Sequence, residues 1–385
     1  MTGTAALDAV LAEEGQLPEP WRDAFRSVDR AWFVPDQCWL DDEHGRIRPL
    51  DRTSDPDGWF AAVYANEPLV TQYDDGATAW PSTDGRTPTS SASQPSVVLA
   101  MLAAADIQPG QRVLEIGTGT GYSAALIAAR GIAVTTIEVD DHLAAAAAAR
   151  LAEHGYPVRV ITGDGAAGDP ETAPFDRIIS TASVRAGTIP NAWLTQSRPD
   201  GLITTPWGSN YLNGQLALLT VHADGTATGR FGEPLRFMRL RAQRRYLYQP
   251  PAEEIERADR RDIHLGGHDI YRMITATEAG FAIGARLPEC SLTVDYDIDH
   301  DGHHHVEIAD PESRSWARLD ADLAAGKLTA QQTGPRKLWD EAEAAYHWWH
   351  QHGEPGIDRF GLLVTPQEQR IWLDRPAGTV HMTLS

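Results

Sequence analysis

Hydrophobic positions change period several times along the chain. Over residues 1–35, Leu7, Val10 and Leu11, then Trp21, Phe25 and Val28, are spaced for one helical face, and Val34-Pro35 closes the segment. From 36 to 91 the regularity lapses into Asp, Gly, Pro and Thr, with Trp39, Trp59, Tyr64, Tyr73 and Trp80 scattered among them. An aperiodic stretch of that length is functional or disordered, and the aromatics speak against disorder. The expectation is a loop-rich lid over a site. From Ser93 the pattern becomes regular: an apolar helix over 95–105 with Pro95 in its first turn, a short apolar strand ending at Ile116, a helix over 124–130 closed by Gly131 and a strand over 134–139. Asp140 or Asp141 then caps a helix over 143–154 that Gly155 ends, followed by strands at 158–162 and 175–181, a short helix at 190–197 and a strand at 202–205. Strands alternating with helices of this length predict an α/β fold, a doubly wound parallel sheet with helices on both faces. Residues 215–221 and 226–231 flank Ala223-Asp224-Gly225 and predict an edge hairpin.

After Leu240 the alternation stops, and 246–251 has the character of a linker. Residues 252–385 then predict an additional C-terminal α+β domain, with strands at 291–296, 361–365 and 370–373 and a helix at 338–349. The expected organisation is a helical and loop-rich region over 1–92, a ligand-binding domain over 93–245 and the C-terminal domain over 252–385, the last a candidate for binding substrate.

Composition narrows the class. A chain of 385 residues, 42% hydrophobic, can bury a full core and more than one unit. Two isolated cysteines, Cys38 and Cys290, make neither a disulfide framework nor a metal pair. No apolar run reaches the length of a membrane helix and the N-terminus lacks a signal layout, so the expectation is a cytoplasmic protein with no membrane partner. The net charge of −21 repels nucleic acid.

The stretch Val113-Leu114-Glu115-Ile116-Gly117-Thr118-Gly119-Thr120-Gly121 organises the chain. Glycines at a strand-to-helix joint allow a tight turn and the approach of a nucleotide-like ligand. A dinucleotide site would have Gly-x-Gly-x-x-Gly, whereas the spacing here is Gly-x-Gly-x-Gly, and Glu115 would repel a pyrophosphate and suit a cationic group. Glu138, ending the next strand, can accept ribose hydroxyls. Asp164, between Gly163 and Gly165, can accept from an adenine amine. Ammonium or sulfonium, ribose and adenine together describe S-adenosylmethionine. The bland alternative is that the acids cap helices and the glycines only make turns.

Ser93-Gln94-Pro95, the glycine stretch through Tyr122, Gly163-Asp164-Gly165, Pro174-Phe175-Asp176-Arg177-Ile178-Ile179 and Pro206-Trp207-Gly208 together resemble protein-L-isoaspartate O-methyltransferases over residues 60–240. The resemblance implies a class I S-adenosylmethionine-dependent methyltransferase fold. It implies Ser93 as the serine beside the transferred methyl, with Glu115, Gly117, Thr118, Gly119, Gly121, Glu138, Asp164 and Gly165 on the cofactor. Ser91, Gln94, Pro95 and Trp207 would then lie toward the acceptor. Repair enzymes of that family are shorter. The longer form resembles actinobacterial homologues associated with ribosomally made peptides, lanthipeptides and graspetides. Those homologues esterify an aspartate of a modified precursor peptide, which then collapses to aspartimide or opens to isoaspartate.

The favoured expectation is therefore a carboxyl O-methyltransferase acting on such a precursor peptide, with repair of isoaspartyl residues in damaged proteins as the alternative and a non-enzymatic binding module as a distant third. A carboxylate is already ionised, so methylation needs no strong base. Ser93 has a second reading as the cap of the helix that begins at Pro95. Other signals are weaker. Asp299, His300, Asp301, His303, His304 and His305 suit a solvated turn between strands better than a metal site, and no metal is expected. Trp339, Tyr346, Trp348 and Trp349 on one helix have core packing as their default reading and a peptide groove as the sharper one. Asp41-Asp42-Glu43 has the character of a solvated face, and Arg244-Arg245 of a linker or a steer for an acidic peptide.

Overall fold

The computed structural model describes residues 3–41, 46–245, 247–263, 265–296, 303–322, 327–376 and 381–384. Two compact units are present, and their boundaries are not the ones the sequence suggests. The first comprises Met1–Ala182, Pro190–Thr205 and Leu218–Ala227, and the second Ser183–Ile189, Pro206–Ala217 and Thr228–Ser385.

The first unit contains the parallel sheet, in the order Arg159–Thr162, Ala133–Glu138, Arg112–Ile116, Phe175–Ser180, Ser197–Gly208, the last strand as far as Thr205. Tyr122–Ala129 and Asp141–Glu153 bridge the first two steps, and Asn191–Thr195 precedes the last strand. The third step has only the 3-10 turn Gly165–Ala167. This is the doubly wound arrangement expected. Arg112–Ile116 lies at the point where the strand order reverses, where sheets of this type bind ligands at their carboxyl ends. Ile178, Leu114 and Ile203 on the central strands are fully buried, as the continuous apolar runs require.

The region before Ser93 differs from expectation. It is an antiparallel four-stranded sheet rather than a loop: Ile47–Asp51, Gln37–Asp41, Leu69–Tyr73 and Pro88–Ala92, in that order. The helix Pro56–Val63 packs on it, opened by Asp55, whose side chain accepts from the Gly58 N–H at 2.9 Å. Cys38, Leu50, Trp59, Val63, Leu69 and Ala92 form its core. The scattered aromatics anchor it: Trp39 meets Tyr73 edge to face at 5.3 Å and donates to the Ser82 carbonyl at 2.9 Å, and Trp59 donates to the Pro35 carbonyl at 3.1 Å. Strands of five residues, interrupted by Pro and Asp, are too short for periodicity to show. Asp42 and Glu43 lie outside the described residues.

The second unit contains a five-stranded antiparallel sheet: Asp259–Asp262, Lys327–Thr333, Ser315–Asp322, His303–Asp310 and Ser291–Tyr296. The helix Leu338–Gln351 buries Leu338, Trp339, Ala342, Ala345, Tyr346 and Trp349, a single face at helical spacing. Trp349 donates to the Pro355 carbonyl at 3.1 Å and Tyr346 to Asp269 at 2.9 Å. Trp348 is half-buried beside the Arg286 guanidinium, 5.2 Å from its ring centre. The aromatic stripe is core rather than groove. Asp299, His300 and Asp301 lie outside the described residues. His305 sits on a strand and pairs with Asp320 at 2.8 Å. Among the described residues no cluster of His, Cys, Asp and Glu is placed to hold a metal, and no helix is long and apolar enough to cross a membrane.

Candidate active site

The strand Arg112–Ile116 hands the chain to the glycine turn. Gly117 has φ 91°, a conformation that costs an L-residue free energy, and a Cβ there would stand 2.7 Å from Thr181 Oγ1. Thr181 closes over this glycine, donating its N–H to the Ile116 carbonyl at 2.8 Å and its hydroxyl to the Gly117 carbonyl. Gly119 has φ 53°, and a Cβ added to it would meet the Ser91 carbonyl at 3.6 Å. The turn therefore lies beside the strand Pro88–Ala92 that leads to Ser93. Gly121 immediately precedes the helix Tyr122–Ala129.

The three acids take different positions. Glu138 is 7% exposed; one oxygen accepts from the Gly119 N–H at 2.9 Å and the other from the Asp140 N–H at 3.1 Å. It ties the second strand to the glycine turn and keeps lone pairs for a ligand. Asp164 is exposed and accepts from the Ala166 N–H through Oδ1 at 2.9 Å, leaving Oδ2 for a ligand. Gly163 is held to the Glu138 carbonyl at 2.8 Å, which brings the two strand ends together. Gly165 is buried, and its carbonyl accepts from Trp193 Nε1 at 2.8 Å.

Glu115 departs from the sequence reading. It is wholly buried beneath the turn, where its oxygens accept from Ser123 and from Thr136, the latter at 2.6 Å. Burial pushes its carboxyl up to about 8; the charge of Glu138 adds to the rise and the Thr136 hydroxyl opposes it. Its role as placed is to support the turn from below, not to present a charge to a ligand. Thr118 likewise turns inward, its hydroxyl 2.8 Å from that of Thr136.

Ser93 is half-buried, and its hydroxyl has no partner among the described residues. It does not cap the following helix. That position belongs to Gln94, which makes no side-chain cap bond, and Pro95 is the first helical residue and buried. Instead Asn66 Oδ1 accepts from the Ser96 N–H at 3.1 Å. Ser91 pairs with Val70 in the antiparallel sheet. Trp207 belongs to the second unit, 2% exposed, its ring 4.8 Å from Phe231 and 5.8 Å from Phe281. A ring packed in that core has no face for a substrate.

Several participants escaped the sequence reading. Gln72 Nε2 donates to Asp140 Oδ2 at 3.1 Å, linking the antiparallel sheet to the cap of the helix Asp141–Glu153. Thr136 and Ser123 hold Glu115. Arg30, 1% exposed, bonds the Ser93 carbonyl at 3.0 Å. No local motif marks these residues, because each acts on a position far away in sequence.

The residues present fit S-adenosylmethionine: a glycine turn that side chains would fill, and two strand-end acids with acceptor capacity to spare. Comparison with known proteins agrees. The family model described as protein-L-isoaspartate(D-aspartate) O-methyltransferase matches residues 51–245, which include every site residue in the first unit discussed above except Arg30. A protein-L-isoaspartate O-methyltransferase 2 of Polaromonas sp. is 40% identical over 153 residues, 40% of this chain and 72% of that one. A protein-L-isoaspartate O-methyltransferase of Gloeobacter violaceus is 41% identical over 149 residues, 38% of this chain and 71% of that one. A solved structure named protein-L-isoaspartate O-methyltransferase shares the fold over 97% of this chain and 100% of its own, with 19% identity and a TM-score of 0.52. The relatives favour the isoaspartyl alternative over the precursor-peptide expectation. With the glycine turn, the strand-end acids and Ser93 all inside the matched span, the chain belongs to the protein-L-isoaspartate O-methyltransferase family of S-adenosylmethionine-dependent carboxyl methyltransferases.

Proposed function

We propose that this chain methylates the free carboxylate of L-isoaspartyl residues in proteins or peptides, with Ser93 as the residue that holds the acceptor. The observation that carries this reading is the unpartnered Ser93 hydroxyl on the segment that runs beside the glycine turn. Bound S-adenosylmethionine supplies an electrophilic methyl on a sulfonium. Glu138 would take the ribose hydroxyls and Asp164 the adenine amine, with the glycine turn leaving room for both. The acceptor carboxylate is ionised at neutral pH and brings its own nucleophilic lone pair, so the protein's task is alignment. Ser93 donates its hydroxyl to one acceptor oxygen and leaves the other free to attack. No group near Ser93 is asked to take a proton.

The test is incubation with labelled S-adenosylmethionine and two peptides of one sequence, one isoaspartyl and one aspartyl. Base-labile label on the isoaspartyl peptide alone is expected. Label on neither, or on the aspartyl form only, overturns the reading. A ribosomal precursor peptide belongs in the same experiment as a third arm, and label confined to it would restore the precursor-peptide function.

A further inference from the structure

We propose that Arg30 is a positioning residue for Ser93, a buried clamp that fixes the acceptor-holding segment and sets a positive charge behind it; this rests on the reading of Ser93 above. The Arg30 side chain reaches five main-chain carbonyls. Nη1 donates to Val63 at 2.8 Å and Ala65 at 3.1 Å, and Nη2 to Glu67 at 2.9 Å, Ala92 at 3.0 Å and Ser93 at 3.0 Å. No carboxylate bonds it among the described residues.

A guanidinium buried without a counter-ion is expensive. Burial lowers its pKa to about 10, which still leaves it charged at neutral pH. An apolar side chain would fill the space but give these carbonyls no donor, so packing alone does not account for an arginine. What only a planar fork can do is gather carbonyls from two separate segments, 63–67 and 92–93. A second observation on the same loop points the same way. Asn66, inside the segment Arg30 gathers, places its Oδ1 on the Ser96 N–H at 3.1 Å and caps the helix that follows Ser93. With Ala92 and Ser93 held by their carbonyls and Ser96 by its N–H, the turn from strand to helix is fixed on both sides of Ser93. Its hydroxyl is then left for the acceptor. The carbonyls that Arg30 reaches are neutral and its Nε has no partner among the described residues, so its charge is not cancelled, and it favours an anionic acceptor at Ser93. Arg30 itself stands on the short helix Arg30–Trp32, whose cap Asp29 accepts from the Ala31 N–H at 3.0 Å and from the Tyr64 hydroxyl at 2.8 Å.

The test compares full-length wild type, Arg30→Lys, Ser93→Ala and the double variant, with Arg30→Met as the uncharged companion. Arg30→Lys keeps the charge but loses the fork. Its kcat on an isoaspartyl peptide should fall about 10-fold or more, while its Kd for S-adenosylhomocysteine stays within about 3-fold. The double variant should be no slower than Ser93→Ala alone, since residues acting through one another do not add. Amide exchange over 92–96 should quicken about 10-fold in Arg30→Lys while 112–116 keeps its protection. Multiplicative losses in the double variant, an equal loss of cofactor affinity, or unchanged exchange over 92–96 would each overturn the proposal. The exchange measurement needs no substrate. It decides the role of Arg30 even if wild type leaves isoaspartyl peptides untouched, a result that would sink the proposed function instead. Should Arg30→Met fail to fold, the lysine variant carries the test.

Discussion

Two strand-to-helix junctions meet in the first unit, and they are built in opposite ways. From Ile116 to Tyr122 the turn is set by backbone angles only glycine tolerates well, with Glu115 beneath it and Glu138, 19 residues on, accepting from the Gly119 N–H. From Ala92 to Pro95 nothing local holds the chain. Its carbonyls go to Arg30, 62 and 63 residues away, and its helix is capped by Asn66, 30 residues from Ser96. The first junction is a cradle whose turn follows from its own glycines, with Glu138 and Thr181 tying it to later strands. The second is a posture imposed on a serine from outside. A cofactor pocket can be reused with many acceptors, whereas the segment around Ser93 takes its conformation from residues far away in the chain.

Four outcomes would break or sharpen that contrast. Glu115 gives the largest. Its carboxyl sits near 8 in the fold against an ordinary value of 4.5, so between those pH values the native state holds a proton the unfolded state lacks. Stability from this group is full below about pH 4.5 and is lost as pH rises through about 8, on the order of 5 kcal/mol in all. Glu115→Gln should flatten that slope in unfolding free energies measured from pH 5 to 9. An unchanged slope would mean the cradle does not rest on a neutral acid.

Next in size, Ser93→Ala should lose about 100-fold in kcat, with cofactor Kd unchanged by calorimetry. Near-normal turnover would remove Ser93 from the chemistry. Gly117→Ala should cost about 2–3 kcal/mol, from its φ and from the approach to Thr181. Adding Thr181→Ala should restore only the second part, as read in thermal unfolding and cofactor affinity. The smallest effect belongs to Gln72→Ala. Losing its bonds to Asp140 and Thr89 should cost about 1 kcal/mol. It should raise the Kd for cofactor without touching kcat. A kcat effect instead would join the two junctions into one device.

The same difference explains how far the sequence could be followed. The parallel sheet, its helices and the strand-end acids Glu138 and Asp164 were all legible, because short apolar runs alternate regularly with helical stretches bounded by Gly, Pro or Asp140. The region from 37 to 92 was not. Its strands are five residues long, and their pairing, such as Trp39 opposite Val70, is settled across dozens of residues. Trp207 misled for a related reason: a tryptophan in a motif gives no sign that Phe231 and Phe281 enclose it. Glu115 misled because a carboxylate in sequence looks charged, and only burial decides otherwise.

By itself, then, the sequence determined the doubly wound sheet, the turn at Gly117–Gly121 and the methyl-donor chemistry that turn suits, since these depend on the conformational freedom of glycine and on periodicity within single segments. The tertiary structure alone decided that 37–92 is a sheet, that Glu115 lies under the turn, and that Arg30 grips the carbonyl of Ser93. Those facts depend on which distant groups share a desolvated space, and no local pattern records that.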